Sequence, residues 1–513
     1  MPLIPALVVI ICAIFFRKII PALFLGIWVG ATMLANYNPF IGFLNLFEKY
    51  LIPSLGSQWN ATVIIYGAAF GGFLFVLQKT GAFLALVQTF TKRIKSSRSA
   101  QLIAMLIGVL TFFDDYFSCL ITGITMRPVM KKYKVPLEKL AYIVDSTAAP
   151  VCLLVPISTW VIYIVGILGN DRFFGDAAYL IYLKTIPLNI YPILTLFCIF
   201  FFILKKEQIG PMRKVQKLAE SDVVNFNIKQ LKRDVTDSVF QISNPKGMKI
   251  EIKSLLLPMF VFFVSFIFIF LYTGGFWGRN YLNFIMSIKE AKGAFSILIA
   301  VVLGGGTSLL FGILKNHFSF TNGFNHYVDG MKSMIRTYLI LLFAWAMGSV
   351  IKDLHLGQWL SSILLNNVSE PFLPMLLFIC SAIVALVTGT SYGTFAIIIP
   401  LAITLSFYVA LPFEYLLAPV LSGGVFGDHC SIISDTTALT SSSIGCDLFS
   451  HIKTQLPYAT IVAIASLCGF LLLGVLKSCF FAFLGAFFVF FSQVFAYYFL
   501  LYFLSKKKNV IKI

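Results

Sequence analysis

Charge is scarce in this chain: Asp, Glu, Lys and Arg together make up 12% of 513 residues. A soluble domain uses roughly 25% charged residues to coat its surface, so soluble globular classes are excluded. No CxxC pair occurs, and Cys12, Cys119, Cys152, Cys198, Cys380, Cys468 and Cys479 lie in apolar segments. Neither a zinc site nor a disulfide framework is signalled. The apolar start Met1 to Phe16 has no basic residue before it and no convincing cleavage site, so it reads as an uncleaved first membrane segment. The short alternating strands of a β-barrel are missing as well.

What is present is long apolar runs. No charged residue occurs in 146–170, 185–204, 254–278, 371–413, 454–476 or 478–505, and a helix needs about 20 residues to cross a bilayer. The expected fold is an all-α polytopic membrane protein with about 11–14 hydrophobic segments, whose main partner is the lipid bilayer. The net charge of +18 sits in connecting segments: Arg17 and Lys18, Lys92 to Arg98, Arg127 to Lys139, the stretch 205–253, and the tail Lys506 to Lys508. Loop Lys and Arg set orientation, which places these loops and the tail in the cytoplasm and implies no nucleic acid.

The basic clusters at 92–98 and 127–139 face the same side, yet only the 26 residues 100–125 lie between them. Two crossings need about 40, so this stretch is expected to be a re-entrant hairpin with Thr111 to Tyr116 at its tip. Residues 205–253 form the one long hydrophilic segment, with 11 Lys/Arg against 6 Asp/Glu. They read as a cytoplasmic connector between two halves, or as a regulatory or lipid-touching linker. Each half has a polar interruption, 111–116 and 388–394, followed by a second, 145–159 and 427–437. Interrupted segments at corresponding places in two halves point to a transporter site built from inverted repeats with broken helices. The expected division is 1–60 N-terminal segments, 61–204 first repeat, 205–253 linker, 254–330 connecting segments, 331–476 second repeat and 477–513 last span and tail.

Six carboxylates lie in or beside apolar segments: Asp114, Asp115, Asp145, Asp428, Asp435 and Asp447. An Asp at mid-membrane costs about 2.5–3.5 kcal/mol on insertion scales, and the default reading of such acids is an ion or proton pathway. Asp145 is followed by Ser146 and Thr147, with Ser158 downstream; Asp435 is flanked by Ser434, Thr436 and Thr437. Pro150 and Pro156 are expected to break the first of these helices. Carboxylate, hydroxyl and freed carbonyl are hard oxygen ligands suited to Na⁺ or a proton, with Asp145 and Asp435 as the expected Na⁺ ligands. The stretch Thr388, Gly389, Thr390, Ser391, Tyr392, Gly393, Thr394 offers an unwound, hydroxyl-bearing break. His429, and the pair Asp447 and His451, are candidate proton relays.

The runs FFDDYFSCLITGITMRPV (112–129), KLAYIVDSTAAPVCLLVPISTW (139–160), TGTSYGTFAIIIPLA (388–402), GGVFGDHCSIISDTTALTSS (423–442) and GCDLFSHIKTQLPYA (445–459) resemble the NhaC family of bacterial Na⁺/H⁺ antiporters. The resemblance covers roughly 60–480. It implies antiport of Na⁺ for H⁺ across the cytoplasmic (inner) membrane, with Asp114, Asp115, Asp145, Asp428 and Asp435 as motif acids. Na⁺ and H⁺ are then transported ions, no cofactor is expected, and a homodimer is compatible. Ile432 departs from the family's usual Pro, and Leu448 and Ser450 from its usual His and Asp.

Competition of Na⁺ and H⁺ for the same carboxylates would make exchange obligatory. The alternative transporter reading is Na⁺- or H⁺-coupled exchange of a small organic acid or amino acid, although the second-half motifs carry no Arg to clamp an anion. An intramembrane aspartyl protease is disfavoured because Gly424 to Asp428 lacks the GxGD spacing, so the chain is not expected to be an enzyme. A passive channel would need no proton-competitive site.

Overall fold

The computed structural model describes residues 2–16, 18–82, 93–170, 174–205, 207–220, 251–277, 291–356 and 369–510, with a few isolated positions between them. Lys92, linker residues 221–250 and the side chains of Lys506 to Lys508 lie outside this description. The described residues form helices and no strand. Among the described residues seven helices are long and apolar enough to cross a membrane, and the count reaches 11 if each of four bent pairs is one span. The protein is a multi-pass helical membrane protein.

The short polar stretch 111–114 is a hairpin tip. Ser96 opens the first arm, Ser97–Leu110, through a reciprocal cap with Ser99. Asp114 opens the second, Asp115–Lys132, by accepting the Phe117 amide at 2.9 Å. An N-cap of this kind satisfies an amide that the helix itself cannot. The arms double back: Tyr133 Oη, past the end of the second, donates to the Ile94 carbonyl ahead of the first at 2.9 Å.

A broken helix follows. Leu137–Leu154 ends, Ser158 caps Thr159–Gly169 by accepting the Val161 amide at 3.2 Å, and the pieces bend by 45°. The break falls at 155–158, so the expected interruption at Pro150 is corrected: the helix runs through it. An interior proline removes a single hydrogen bond, which neighbouring helices in a membrane can compensate. Asp145, Ser146 and Thr147 therefore stand on continuous helix and offer side chains only.

The second half repeats the plan. The long uncharged run is two helices, Leu373–Thr388 and Ser391–Ser406, hinged at Gly389, and Thr390 caps the second arm. Next come Phe413–Cys430 and Asp435–Ile444, bent by 46°. This break forms with Ile432 in place of proline, because Ser434 caps the second piece through the Thr437 amide at 3.2 Å. The capping pairs Asp114/Thr390, Pro136/Pro412 and Ser158/Ser434 are all 276 residues apart (390 less 114, 412 less 136, 434 less 158). The two units thus superpose in sequence without a gap.

They run in opposite directions. Phe174, just past the first broken helix, stacks at 4.6 Å on Phe413 at the start of the second. Ser450, just past the second, donates to Glu138 at the start of the first at 3.0 Å. The end of each broken helix thus meets the beginning of the other, so the two broken helices lie antiparallel.

The hinge of the second hairpin depends on glycine. Gly389 has φ +64°, and a Cβ there would stand 2.6 Å from the Ile433 carbonyl oxygen in the opposing break. Gly389→Ala is expected to destabilise the protein by about 2 kcal/mol, combining left-handed strain with a backbone clash. The check is the thermal denaturation midpoint in detergent, which should fall by several degrees; an unchanged midpoint would contradict the close approach.

Candidate functional site

Four helix starts meet where the hairpin tips face the breaks: those at Asp115, Thr159, Ser391 and Asp435. Each N-terminus carries partial positive charge and unsatisfied amides, so their convergence favours the carboxylates gathered there. Thr159 Oγ1 donates to Asp114 Oδ2 at 3.0 Å, and Tyr392 Oη reaches Thr159 Oγ1 at 3.4 Å. Tyr116 Oη donates to Asp435 Oδ2, and the Thr436 amide to Asp435 Oδ1 at 3.0 Å. Thr436 Oγ1 also donates to Asp428 Oδ2 at 3.1 Å.

Between these groups lies a cavity of ≈ 10 Å³, lined by Asp115, Tyr116, Trp160, Thr390, Ser391, Tyr392, Asp428, Asp435 and Thr436. That volume matches about one water-sized particle. Asp115 and Asp428 are buried, and one oxygen of each, Oδ1, has no hydrogen-bond partner among the described residues. No three His, Cys, Asp or Glu among the described residues close on one point. A cation in the cavity would therefore draw on hydroxyl and main-chain oxygens beside one or two carboxylates.

Asp145 stands next to this cavity without lining it. Its Oδ2 accepts from Thr437 Oγ1 at 3.1 Å and from Gln455 Nε2 at 2.7 Å, and lies 3.8 Å from His451 Nε2. Gln455 also donates to the His429 carbonyl at 3.0 Å and pairs with His451 at 3.0 Å. Ser441 holds the other ring nitrogen of His451 at 2.9 Å, and Tyr191 holds His429 Nδ1 at 3.0 Å. Asp145 Oδ1 lacks a hydrogen-bond partner among the described residues. Asp145 and Asp435 are thus joined through the neighbours Thr437 and Thr436.

The other expected residues divide. Ser434 and Ser158 cap their helices, and Ser434 also contacts Thr436 at 3.0 Å. Ser391 donates to the Gly424 carbonyl at 3.2 Å. Thr147, Thr388 and Thr394 give their hydroxyls to carbonyls of their own helices, and Ser146 is buried on the Asp145 helix. Asp447 is not joined to His451 by its side chain: it is exposed and caps Leu448–Leu476 through the Ser450 amide at 2.8 Å. Thr159, Trp160, Tyr191 and Gln455 were not anticipated. Gln455 had a legible signal, an amide side chain inside an uncharged run.

A second space of ≈ 1130 Å³ lies at the end where the first broken helix stops, lined by Lys49, Tyr50, Asn170, Trp345, Lys352, Asp353 and Phe407 among others. None of the expected site residues lines it. Tyr163 sits between Trp160 of the small cavity and Ile167 of this vestibule, and its ring stacks on Tyr392 at 4.4 Å.

The sequence matches the profile of the Na+/H+ antiporter family over residues 1–174 and 151–475. It is 32% identical over 499 residues to a protein of Haemophilus influenzae described as uncharacterized, covering 92% of this chain and 90% of that one. A shorter stretch of 164 residues is 28% identical to the malate-2H(+)/Na(+)-lactate antiporter of Bacillus subtilis, covering 31% of this chain and 34% of the relative. Among solved structures, Neisseria gonorrhoeae MtrF, from a class of antimetabolite efflux pumps, matches with TM-score 0.57 and 14% identity over 84% of both chains. The Alcanivorax borkumensis YdaH transporter matches with TM-score 0.56 and 11% identity over 89% of both. At these identities the two structures speak to the fold alone.

Proposed function

The chain belongs to the Na+/H+ antiporter family, and on that premise we propose that this membrane transporter exchanges Na⁺ for H⁺ across the bacterial cytoplasmic membrane by alternating access. Asp145 and Asp435, with Asp114, Asp115 and Asp428, carry the exchange. The observation that supports this most is the cavity of ≈ 10 Å³ between carboxylates and helix starts. It is sized for a small ion, its wall offers oxygen ligands, and anions there are favoured by four helix N-termini. A Na⁺ ion and protons compete for the same acidic cluster, so that loading one displaces the other.

The open end of the first hairpin carries Lys95, Arg98, Lys131, Lys132 and Lys134. The positive-inside rule puts that end in the cytoplasm. The vestibule, at the opposite end, then faces outward.

The vestibule supports a second reading, coupled exchange of a small organic acid. Its ≈ 1130 Å³ would admit such a solute, and Lys49 and Lys352 stand in its wall. The name of the Bacillus subtilis relative points the same way.

Proteoliposomes holding a pH-sensitive dye decide between them. With an imposed proton gradient, Na⁺ alone should collapse the gradient, while malate, lactate and amino acids without Na⁺ should not. A response that requires an organic acid would replace the first reading by the second.

A further inference from the structure

The short helix Gly210–Glu220 takes no part in the exchange site, yet it is held firmly. It follows the apolar helix Ile190–Leu204, and the segment between them is tied down by several contacts. Lys139 Nζ, buried on the Asp145 helix, donates to Gln208 Oε1 and, at 3.1 Å, to the Phe202 carbonyl. Tyr458 Oη accepts the Ile209 amide at 3.2 Å and donates to Gln208 Oε1 at 3.0 Å. Tyr497 Oη accepts the Gly210 amide at 2.8 Å, and Tyr498 Oη donates to the Glu207 carbonyl at 2.8 Å. Met212 is buried against the bundle.

At 100° per residue the helix is two-faced. Met212, Val215, Leu218 and Ala219 share one side; Arg213, Lys214 and Lys217 share the other. Leu218, on the apolar side, is 53% exposed. The height is set by its anchors. Lys205, just past the apolar helix Ile190–Leu204, places its ammonium 4.1 Å from the ring centre of Tyr498, which neighbours Tyr497 on the helix Cys479–Val510. Tyrosines and snorkelling lysines mark the plane where hydrocarbon gives way to headgroups.

We propose that Gly210–Glu220 is an interfacial helix whose basic face binds the anionic headgroups of phospholipids in the leaflet on that side. An amphipathic helix with Lys and Arg opposite an apolar stripe lies in the interface, and each basic residue near an anionic leaflet strengthens the attraction. The occupant is lipid rather than a soluble anion because the apolar side is partly exposed at the same level. Lys139 and Gln208 connect the bound headgroups to the helix that carries Asp145, two turns away, so lipid composition is felt at the exchange site.

The test uses full-length protein in bilayers containing spin-labelled phosphatidylglycerol, with retention of motionally restricted lipid as the readout. This readout does not depend on what the protein transports. Arg213→Gln/Lys214→Gln/Lys217→Gln is expected to lower the relative affinity for phosphatidylglycerol over phosphatidylcholine severalfold. Arg213→Lys alone should retain it, and added inorganic phosphate should not displace the lipid. The control Lys131→Gln/Lys132→Gln/Lys134→Gln removes equal charge from the open end of the first hairpin. An equal loss in both triple variants, no loss in the first, or displacement by phosphate each overturns the proposal. In proteoliposomes of rising phosphatidylglycerol content, wild-type exchange should rise severalfold and the helix variant should stay flat.

Discussion

Na⁺-dependent collapse of a pH gradient in everted vesicles is expected to fall at least 100-fold in Asp435→Asn, with expression and detergent elution unchanged. Asn keeps the size of the side chain, and its oxygen can still accept from the Thr436 amide, so the cap geometry at Ser434 and the helix start survive. What disappears is the negative charge facing the cavity, and with it both the attraction for a cation and the carboxylate that a proton would occupy. Asp145→Asn is expected to abolish exchange too, since Asp145 is linked to Asp435 through Thr437 and its neighbour Thr436. Exchange that is undiminished in both variants would defeat the assignment of these acids.

Gln455→Leu should be the most damaging substitution at a residue with no charge. The amide nitrogen donates to Asp145 and to the His429 carbonyl, and its oxygen meets His451. A leucine of similar volume leaves a buried carboxylate oxygen, a carbonyl and a ring nitrogen each short of one partner. Hydrogen bonds to charged groups contribute about 1.5–3 kcal/mol, and an unsatisfied buried group costs about 1–3, so a loss of about 2–4 kcal/mol is expected. The check is a denaturation midpoint lowered by several degrees together with absent exchange. A variant that keeps both would show that the Asp145 environment tolerates loss of this amide.

Much of the fold was legible because membrane insertion leaves coarse marks. The hairpin at 111–114 followed from charge clusters that were too close together for two crossings, and the acidic motifs stood out against apolar runs. The chemistry between elements was hidden because it is long-range. Gln455 reaches Asp145 across 310 positions and Thr437 across 292, and no local pattern encodes such a pairing. The likeness between the two halves was visible only as a rough spacing of polar breaks. Few identities survive between the units, Tyr116/Tyr392, Glu138/Glu414 and the capping Pro and Ser among them, and it is the shared caps and bends that reveal the register. Pro150 misled because a proline in an apolar span suggests a break, whereas packing on all sides keeps the helix continuous to Leu154. Asp447 misled through its spacing: one turn from His451 in sequence, it faces outward as a cap.

Thr436 and Thr437 are consecutive, yet they clasp different acids: Asp428 for the first and Asp145 for the second. Neighbours on a helix point about 100° apart, so one short helical start grips two partners in different directions. Any displacement of that start is therefore felt at both acids together, across a linkage whose span is a single peptide unit.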